Sequence, residues 1–366
     1  METHKRDFVY QPLKENLVRQ IEAGRLKRGD CILSEKRLVQ KYGISNKSVR
    51  KAIKELVEEG YLIAMRGKGV FVAEDYKKKK AVNADTIGVV VSDLAVSFHT
   101  EIVRGIEHEA EQNGYQMILG NNDNNAKKEE MYLRRFVGQG LNGIIVVTGR
   151  NSIRNKYFRE IGRDIKLAIV DTFIKGAEAD YVTTDDERGA CEAVKYLIGL
   201  GHRSIANLTG PGEVSTAYNR YEGYKRALRE AGMAMDERLV RLTDFSEQGG
   251  YEGMKKILAK TRDVTACVAV NDMVAWGAMR AIEEQGLKIP EDISVAGFGA
   301  LKLNNSSALP LPLTTVNQQA YEMGQEAARL VIGRLRGEGG KNIKKIVLPT
   351  KLIIRTSTAR VLAKAS

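Results

Sequence analysis

Histidine is scarce in this chain, and the short motifs typical of enzymes are missing. The four histidines are His4, His99, His108 and His202, and no pair has the spacing of metal ligands. The sequence also lacks a Gly-x-Ser-x-Gly elbow, a phosphate-binding loop and a dinucleotide-binding fingerprint. We therefore predict that the protein is not an enzyme, and we expect no catalytic residues, no metal and no cofactor.

Cysteine is also rare, and long apolar segments are missing. The three cysteines, Cys31, Cys191 and Cys267, are odd in number and far apart, which argues against a disulfide framework or a zinc knuckle. No run of about 18 apolar residues occurs, and charges occupy the N-terminus where a secretory signal needs an apolar core. We expect buried thiols, no membrane insertion, no export and a cytoplasmic location.

Positive charge is plentiful, and it is concentrated at one end. The net charge is +12, and residues 1–80 hold 20 Lys and Arg against 11 Asp and Glu. The remaining residues are nearly neutral. This asymmetry predicts that the N-terminal part binds a polyanion such as DNA, with solubility alone as the alternative. A hydrophobic content of 43% predicts globular domains, and the length suits two or three folding units.

The N-terminal segment has the pattern of three helices and a hairpin. Leu13, Leu17 and Ile21 recur at helical spacing, and Ser34 and Ser45 stand where they can cap a second and a third helix. The third helix has an apolar stripe opposite a cationic face. Gly60 ends it, and the segments 61–65 and 70–72 predict two strands joined by the turn 66–69.

Three helices followed by a basic hairpin predict a winged helix-turn-helix over residues 1–75, whose third helix enters the major groove of DNA. A polar, lysine-rich stretch then predicts a linker over residues 76–84. From residue 85 to 366, short apolar runs alternate with amphipathic helices, which predicts parallel sheets covered by helices on both faces. The predicted fold class is α/β, with a doubly wound effector domain of two lobes and a ligand cleft at the carboxyl ends of its strands.

Two family resemblances support this division. The N-terminal module resembles that of GntR-family regulators through SEKRL (34–38), YGISNKSVRKAIKEL (42–56) and GKGVFV (67–72). The larger part, from about Ile87 to Arg355, resembles the LacI/GalR type, which is related to periplasmic sugar-binding proteins. Its matching segments are IVRGIE (102–107), GHRSIA (201–206), RYEGY (220–224), NDMVAWG (271–277), PEDISVAGF (290–298) and LTTVNQ (313–318). The combination is similar to that of arabinose-repressor-like proteins.

The resemblance and the helix positions together predict the DNA-binding residues. Lys36, Ser45, Asn46, Lys47, Ser48 and Arg50 are expected to approach the major groove or its phosphates, and Arg66, Gly67 and Lys68 are expected to form the tip of the wing. The alternative for the helix is an ordinary solvated charged face. Asn46 stands where the family pattern usually has arginine, so the preferred operator base is expected to differ at that position.

The resemblance also implies a sugar site. In such domains an aromatic residue after the first strand, an arginine of the second lobe, an asparagine and a late glutamine hold a sugar. The corresponding residues are Phe98, Arg220, Asn271 and Gln318, with Asp93 and His99 as neighbours. Purely structural roles are the alternative for each of them, such as Asn271 capping a helix or Arg220 in a surface ion pair.

Two departures from the family pattern weaken the sugar prediction. Gly299 stands where the family commonly has an aspartate, and Thr172 stands where sugar binders commonly carry an arginine. The pocket is therefore expected to favour a modified sugar, another sugar class or a ligand with its own charge.

The residues and the resemblance predict a homodimeric transcription repressor that binds a pseudo-palindromic operator and is released from it by a carbohydrate. Co-repression, activation and a non-sugar effector remain open. A periplasmic sugar-binding protein would share the two-lobed domain, but it would have no use for a basic winged helix.

Overall fold

The computed structural model describes residues 10–22, 24–65, 68–74, 85–161, 165–261, 263–301, 312–338, 340 and 342–361. The chain divides into two compact units, residues 1–84 and 85–366. The predicted linker over residues 76–84 lies outside the described residues.

The first unit has the predicted helix and hairpin order. Its elements are α1 (Gln11–Glu22), α2 (Glu35–Tyr42), α3 (Asn46–Glu58), β1 (Leu62–Met65) and β2 (Gly69–Val72). The strands are antiparallel, with Met65 opposite Gly69. Apolar side chains of all five elements form one core around Leu13, Leu38 and Leu56. The winged helix-turn-helix prediction is confirmed.

The turn between α2 and α3 explains why the two helices are separate. Gly43 ends α2 with a φ of 65°, a left-handed conformation that glycine adopts without strain. The Ser45 side chain accepts a hydrogen bond from the backbone N–H of Ser48 and caps α3, as predicted. Ser34 stands at the predicted N-cap position of α2, but its side chain makes no capping hydrogen bond, so that prediction is right in position and wrong in mechanism.

The second unit alternates strands and helices. In chain order its elements are β3 (Thr86–Val91), α4 (Ser97–Gln112), β4 (Gln116–Asn121), α5 (Ala126–Gly138), β5 (Gly143–Val147), β6 (Lys166–Val170), β7 (Asp180–Thr184), α6 (Asp186–Gly199), β8 (Ile205–Thr209), α7 (Ser215–Glu230), β9 (Val240–Leu242), α8 (Glu247–Leu258), β10 (Ala266–Ala269), α9 (Asp272–Glu284), β11 (Ser294–Phe298), β12 (Thr314–Asn317), α10 (Ala320–Leu335), β13 (Lys345–Leu348) and β14 (Lys351–Ile353).

These elements build two lobes, each around a six-stranded sheet. The strand order is β13-β7-β6-β5-β3-β4 in the first lobe and β14-β12-β11-β10-β8-β9 in the second. Of the described pairings in the two sheets, β12 with β14 is antiparallel and the others are parallel. Central strands such as β3 and β5 are buried along their whole length because helices cover both faces. The prediction of two doubly wound lobes is confirmed.

The chain passes between the lobes at three places. It crosses between β7 and α6, between β12 and α10, and between β13 and β14, since the elements on the two sides belong to different lobes. Helix α10 returns to the first lobe, where Met323, Ala327 and Val331 join the core of β3 and β5. These three crossings are the covalent connections between the two lobes.

Two of the three cysteines are buried in the second unit. Cys191 and Cys267 are buried as predicted, but Cys31 is exposed, so the prediction of three buried thiols is wrong for Cys31. Cys31 lies on the segment that pairs with β2, a position that leaves its side chain at the surface. Within the described part of the chain, no helix is long and apolar enough to cross a membrane.

Candidate functional site

The exposed face of α3 is cationic. Val49, Ala52, Ile53 and Leu56 are buried in the core of the first unit. On the other side of the same helix, Asn46, Lys47, Arg50 and Lys54 are exposed. The positive end of the helix dipole adds to this charge at Asn46 and Lys47. The face has the shape and charge needed to enter the major groove of DNA.

Arg50 has a protein partner in this structure. Its Nε lies 2.8 Å from Oε2 of Glu35 on α2, and the Arg50 side chain is 71% exposed. Such an exposed ion pair is weak in water, so a phosphate or a guanine can take the place of Glu35.

The remaining predicted DNA-binding residues fall into three groups. The hydroxyls of Ser45 and Ser48 lie 2.9 Å apart and are engaged at the start of α3. Lys36 on α2 and Lys68 at the hairpin are exposed. The backbone N–H of Lys68 donates to the carbonyl of Met65 at 3.0 Å, which tightens the hairpin turn. Arg66 and Gly67 lie outside the described residues.

A cleft of about 390 Å³ opens between the two lobes of the second unit. It lies at the carboxyl ends of the parallel strands, where such sheets ordinarily bind ligands. All of the predicted effector residues line it, namely Asp93, Phe98, His99, Arg220, Asn271 and Gln318. The cleft also contains residues that the sequence reasoning missed, chief among them Arg150, Asp171, Asp244, Phe245 and Phe298. Most of these residues follow the carboxyl end of a strand, and that position is the sequence feature from which they could have been predicted.

Arg220 is buried and pairs with a buried carboxylate. Its Nε lies 2.8 Å from Oδ1 of Asp186, and Nη1 donates to the carbonyl of Val270 at 2.8 Å. The guanidinium also lies 3.9 Å from the ring centre of Phe298. Burial raises the pKa of Asp186 to about 6, although Arg220 pulls it down. The surface-pair alternative for Arg220 is therefore wrong, because both partners are buried.

Asn271 caps a helix and also lines the cleft. Its Oδ1 accepts from the backbone N–H of Val274 at 2.8 Å, and its Nδ2 donates to the carbonyl of Phe245 at 3.0 Å. The amide thus joins α9 to the loop after β9. Asn271 therefore has the structural role that was predicted as the alternative, that of a helix cap. To bind a ligand as well, the same half-buried amide would have to contact both the helix and the ligand.

Gln318 lies at the crossing between β12 and α10, where its side-chain amide contacts two residues of the first lobe. Its Nε2 is 3.4 Å from Oδ1 of Asp171 and 3.3 Å from Oγ1 of Thr184. Asp171 itself has a φ of 82°, which is strained for a residue with a side chain. The carboxylate of Asp171 is thereby fixed beside the crossing point of the chain.

The predicted residues of the first lobe surround His99. Its Nδ1 lies 2.9 Å from the carbonyl oxygen of Asp93, which fixes the ring as a donor at that nitrogen. Burial lowers the pKa of His99, so the ring is neutral near pH 7. Phe98 lies next to it, with ring centres 5.8 Å apart. This wall therefore offers an aromatic face and a neutral imidazole.

The two departures from the family pattern have local physical reasons. Gly299 has a φ of 127°, a conformation that side-chain-bearing residues rarely adopt. An aspartate at this backbone would be strained. Thr172 is buried, and its hydroxyl donates to Oδ2 of Asp171 at 3.3 Å. The cleft accordingly has no acid at position 299 and no base at position 172.

Two contacts join the lobes across the cleft. The Arg150 Nη1 of the first lobe donates to the backbone carbonyl of Asp244 in the second at 2.8 Å and lies 3.4 Å from its carboxylate. The backbone N–H of Phe173 donates to Oγ of Ser215 at 3.0 Å. A ligand that bridges the lobes in the cleft therefore competes with these two polar contacts.

Among the described residues, no group of three or more His, Cys, Asp and Glu side chains is placed to hold a metal ion. The chemistry of the cleft is that of hydrogen bonding, aromatic contact and charge.

Family profiles match both units. Residues 84–356 match the periplasmic binding proteins and sugar binding domain of the LacI family. Residues 9–72 match the bacterial regulatory proteins of the gntR family. The boundary between the two matches agrees with the division of the structure.

Individual proteins show the same two relationships. The chain is 36% identical over 275 residues to the HTH-type transcriptional regulator DegA of Bacillus subtilis, covering 75% of this chain and 80% of DegA. It is 29% identical to the arabinose metabolism transcriptional repressor of Halalkalibacterium halodurans, covering 98% and 97% of the two chains. The solved complex of the regulator CelR with cellobiose has a TM-score of 0.67 and 28% identity, covering 86% of this chain and 91% of CelR. The chain thus belongs to the LacI family of periplasmic-binding-protein-like regulators, and it carries a GntR-type DNA-binding domain.

Proposed function

We propose that this protein is a cytoplasmic transcription repressor that binds its operator as a homodimer and is released by a carbohydrate. The observation that carries the proposal is the cleft, which brings six predicted effector residues together beside the crossings between the lobes. The same chain carries a winged helix with an exposed cationic face. Ligand sensing and DNA binding are therefore combined in one polypeptide.

The ligand acts through the lobes in this proposal. Gln318 lies at one crossing and Asp186, the partner of Arg220, lies at another. A sugar that contacts Arg220, Asn271 and Gln318 favours one arrangement of the lobes over the other. The resulting change in operator affinity is limited by the difference in ligand affinity between the two arrangements.

A second copy of the chain is proposed to pack on β4, the edge strand of the first sheet. Ile118 and Leu119 of this strand are 40% and 37% exposed, and Met131 of the following helix is 46% exposed. Apolar side chains on an open sheet edge need a cover, and a two-fold dimer supplies it. Two winged helices then meet the two half-sites of a pseudo-palindrome.

The dimer proposal has a matched test. Ile118→Glu is expected to give a monomer in sedimentation velocity and to weaken operator binding. Leu242→Glu is the control, because Leu242 is 69% exposed on β9, the edge strand of the other sheet. If the Ile118→Glu protein were still dimeric, β4 would not be part of the dimer interface.

The repressor proposal is tested with the full-length protein and an operator selected from random DNA. Pentoses, hexoses, uronates and sugar phosphates are titrated into the complex while fluorescence anisotropy reports DNA binding. We expect one class to lower operator affinity, and Phe98→Ala to abolish that response without changing affinity in the absence of ligand. Tyr218→Ala, which removes an exposed aromatic side chain, is the control. Failure of every sugar to bind or to act would refute the carbohydrate assignment.

A further inference from the structure

The charged groups lining the cleft are out of balance. Four carboxylates line it, those of Asp93, Asp171, Asp244 and Glu247. Among the residues that the structure describes, the guanidinium groups of Arg150 and Arg220 are the two basic counterparts. Because closing the lobes removes water from the cleft, an excess of negative charge there becomes costly unless a ligand compensates it.

Most of these charges already have partners. Arg220 pairs with the buried Asp186 at 2.8 Å, and Arg150 lies 3.4 Å from Asp244. Glu247 pairs with Arg280 at 2.7 Å. Arg220 is therefore held by a buried partner, and an anionic ligand at Arg150 would have to displace Asp244.

Asp93 has no cation within ion-pair distance among the described residues, but its Oδ1 already accepts from the backbone N–H of Ala95 at 2.8 Å. Asp171 also lacks such a cation within the described part of the chain. Its carboxylate receives the amide of Gln318 at 3.4 Å and the hydroxyl of Thr172 at 3.3 Å. Both bonds are long and both donors are neutral, so each oxygen keeps room for a further donor. His99 does not compensate this charge, since burial lowers the pKa of its ring, although the Asp93 carbonyl and the Asp171 carboxylate act in the opposite direction.

The rest of the cleft suits a ring of sugar size. Phe98 belongs to the first lobe and Phe245 to the second, and both line the cavity. Aromatic rings pack on the C–H faces of a pyranose, while Asn271 and Gln318 offer amide groups to its hydroxyls. These groups can hold a neutral ring, and Asp171 adds a carboxylate without a cationic partner among the described residues.

We propose that Asp171 selects the effector, which is an amino sugar whose ammonium group binds the Asp171 carboxylate. Sugars that carry a phosphate or a carboxylate are excluded by the same charge. This inference rests on the proposed function, in which the cleft binds a carbohydrate. A neutral hydroxyl can also donate to Asp171, but it leaves the negative charge uncompensated when the cleft closes.

The test is isothermal titration of the full-length protein with matched ligands of the gluco, galacto and manno series. Each series contains the neutral hexose, the hexosamine, its N-acetyl derivative and the hexose 6-phosphate. The hexosamine of the preferred series is expected to bind roughly tenfold to a hundredfold more tightly than the hexose or the N-acetyl sugar. The phosphate is expected not to bind.

Asp171→Asn is expected to remove the preference for the amine while keeping the affinity for the neutral hexose, and its thermal unfolding shows whether it still folds. Asp93→Asn removes an equal charge from the same cleft and serves as the control for a general field effect. Equal loss of the preference in both variants overturns a specific role for Asp171.

Failure of this inference is distinguishable from failure of the proposed function. If neutral hexoses bind and release the operator while amines have no advantage, the inference is wrong and the repressor proposal stands. If phosphorylated sugars bind the unaltered protein best, the inference is also wrong. If no sugar binds or affects the operator complex, both are overturned.

Discussion

The DNA-binding module and the effector cleft use their polar side chains in opposite ways. On α3, Arg50 is 71% exposed and the apolar side of the helix forms the core without it. In the cleft, Arg220 is 8% exposed and is bonded to Asp186 and to a backbone carbonyl. The first kind of residue can be changed without harm to the fold. The second kind serves structure and recognition together, so its substitution changes both.

Among the substitutions considered, that of Arg220 is expected to lower the free energy of unfolding the most. Arg220→Met leaves the buried Asp186 without its cation, and loss of one partner of such a pair costs about 3–5 kcal/mol of unfolding free energy. Arg226→Met is the control, because Arg226 belongs to the same helix but forms exposed ion pairs. Thermal unfolding is expected to show a large loss for the first variant and little for the second. Equal losses would contradict the special role of burial.

The same variant makes a pH prediction. The pKa of Asp186 is raised to about 6 when folded, above its ordinary value, so this acid favours folding in its protonated form and stability falls as the pH rises through 6. Arg220 offsets that loss by favouring the ionised form. Removing Arg220 is therefore expected to destabilise the protein more at about pH 8 than at about pH 5. Denaturant titrations at the two pH values measure the difference, and an equal loss at both would mean that Asp186 does not titrate in this range.

A substitution at Arg50 is expected to affect DNA binding and leave stability unchanged. Arg50→Ala removes a bidentate donor from the recognition face, which is worth about 1–3 kcal/mol of discrimination in each half-site, so the preference for operator over random DNA is expected to fall strongly. Competition anisotropy with operator and random DNA measures this, while effector binding remains as before.

The variant Glu35→Gln distinguishes a DNA-contacting role of Arg50 from a role in holding α2 against α3. If Arg50 acts on DNA, freeing it from Glu35 keeps or raises operator affinity. If Arg50 only holds α2 against α3, both variants lose affinity alike, and the placement of the recognition face on Arg50 is wrong.

The sequence predicted the two regions unequally well. Buried strands such as β5 could be predicted because helices on both faces require a continuous apolar run. The strands β7, β12, β13 and β14 were not predicted. The first two are short and contain polar threonines, and the last two are edge strands with mixed exposure. The six cleft residues came from family resemblance and position. Their partners did not, because the pairs Arg220–Asp186 and Gln318–Asp171 join residues 34 and 147 positions apart.

Asn46 is expected to determine the preferred base at one position of each operator half-site. Its side chain is exposed at the first turn of α3, where an amide pairs best with adenine. Asn46→Arg is expected to shift the preferred base toward guanine at one position of each half-site, by about 1–3 kcal/mol. Selection from random DNA with both proteins shows the change directly. An unchanged consensus would mean that position 46 does not contact a base.

Substitution of Lys68 at the hairpin is expected to change DNA affinity the least. Lys68 is exposed, and as a wing residue it is expected to contact a phosphate, which carries no sequence information. Lys68→Ala should therefore weaken operator and random DNA alike, and the slope of log affinity against log salt should fall by about 0.9 for each winged helix bound. Lys260→Ala removes a lysine of the effector domain and should leave the slope unchanged. A loss confined to the operator would instead assign Lys68 to base recognition, and the wing would then share that role with α3.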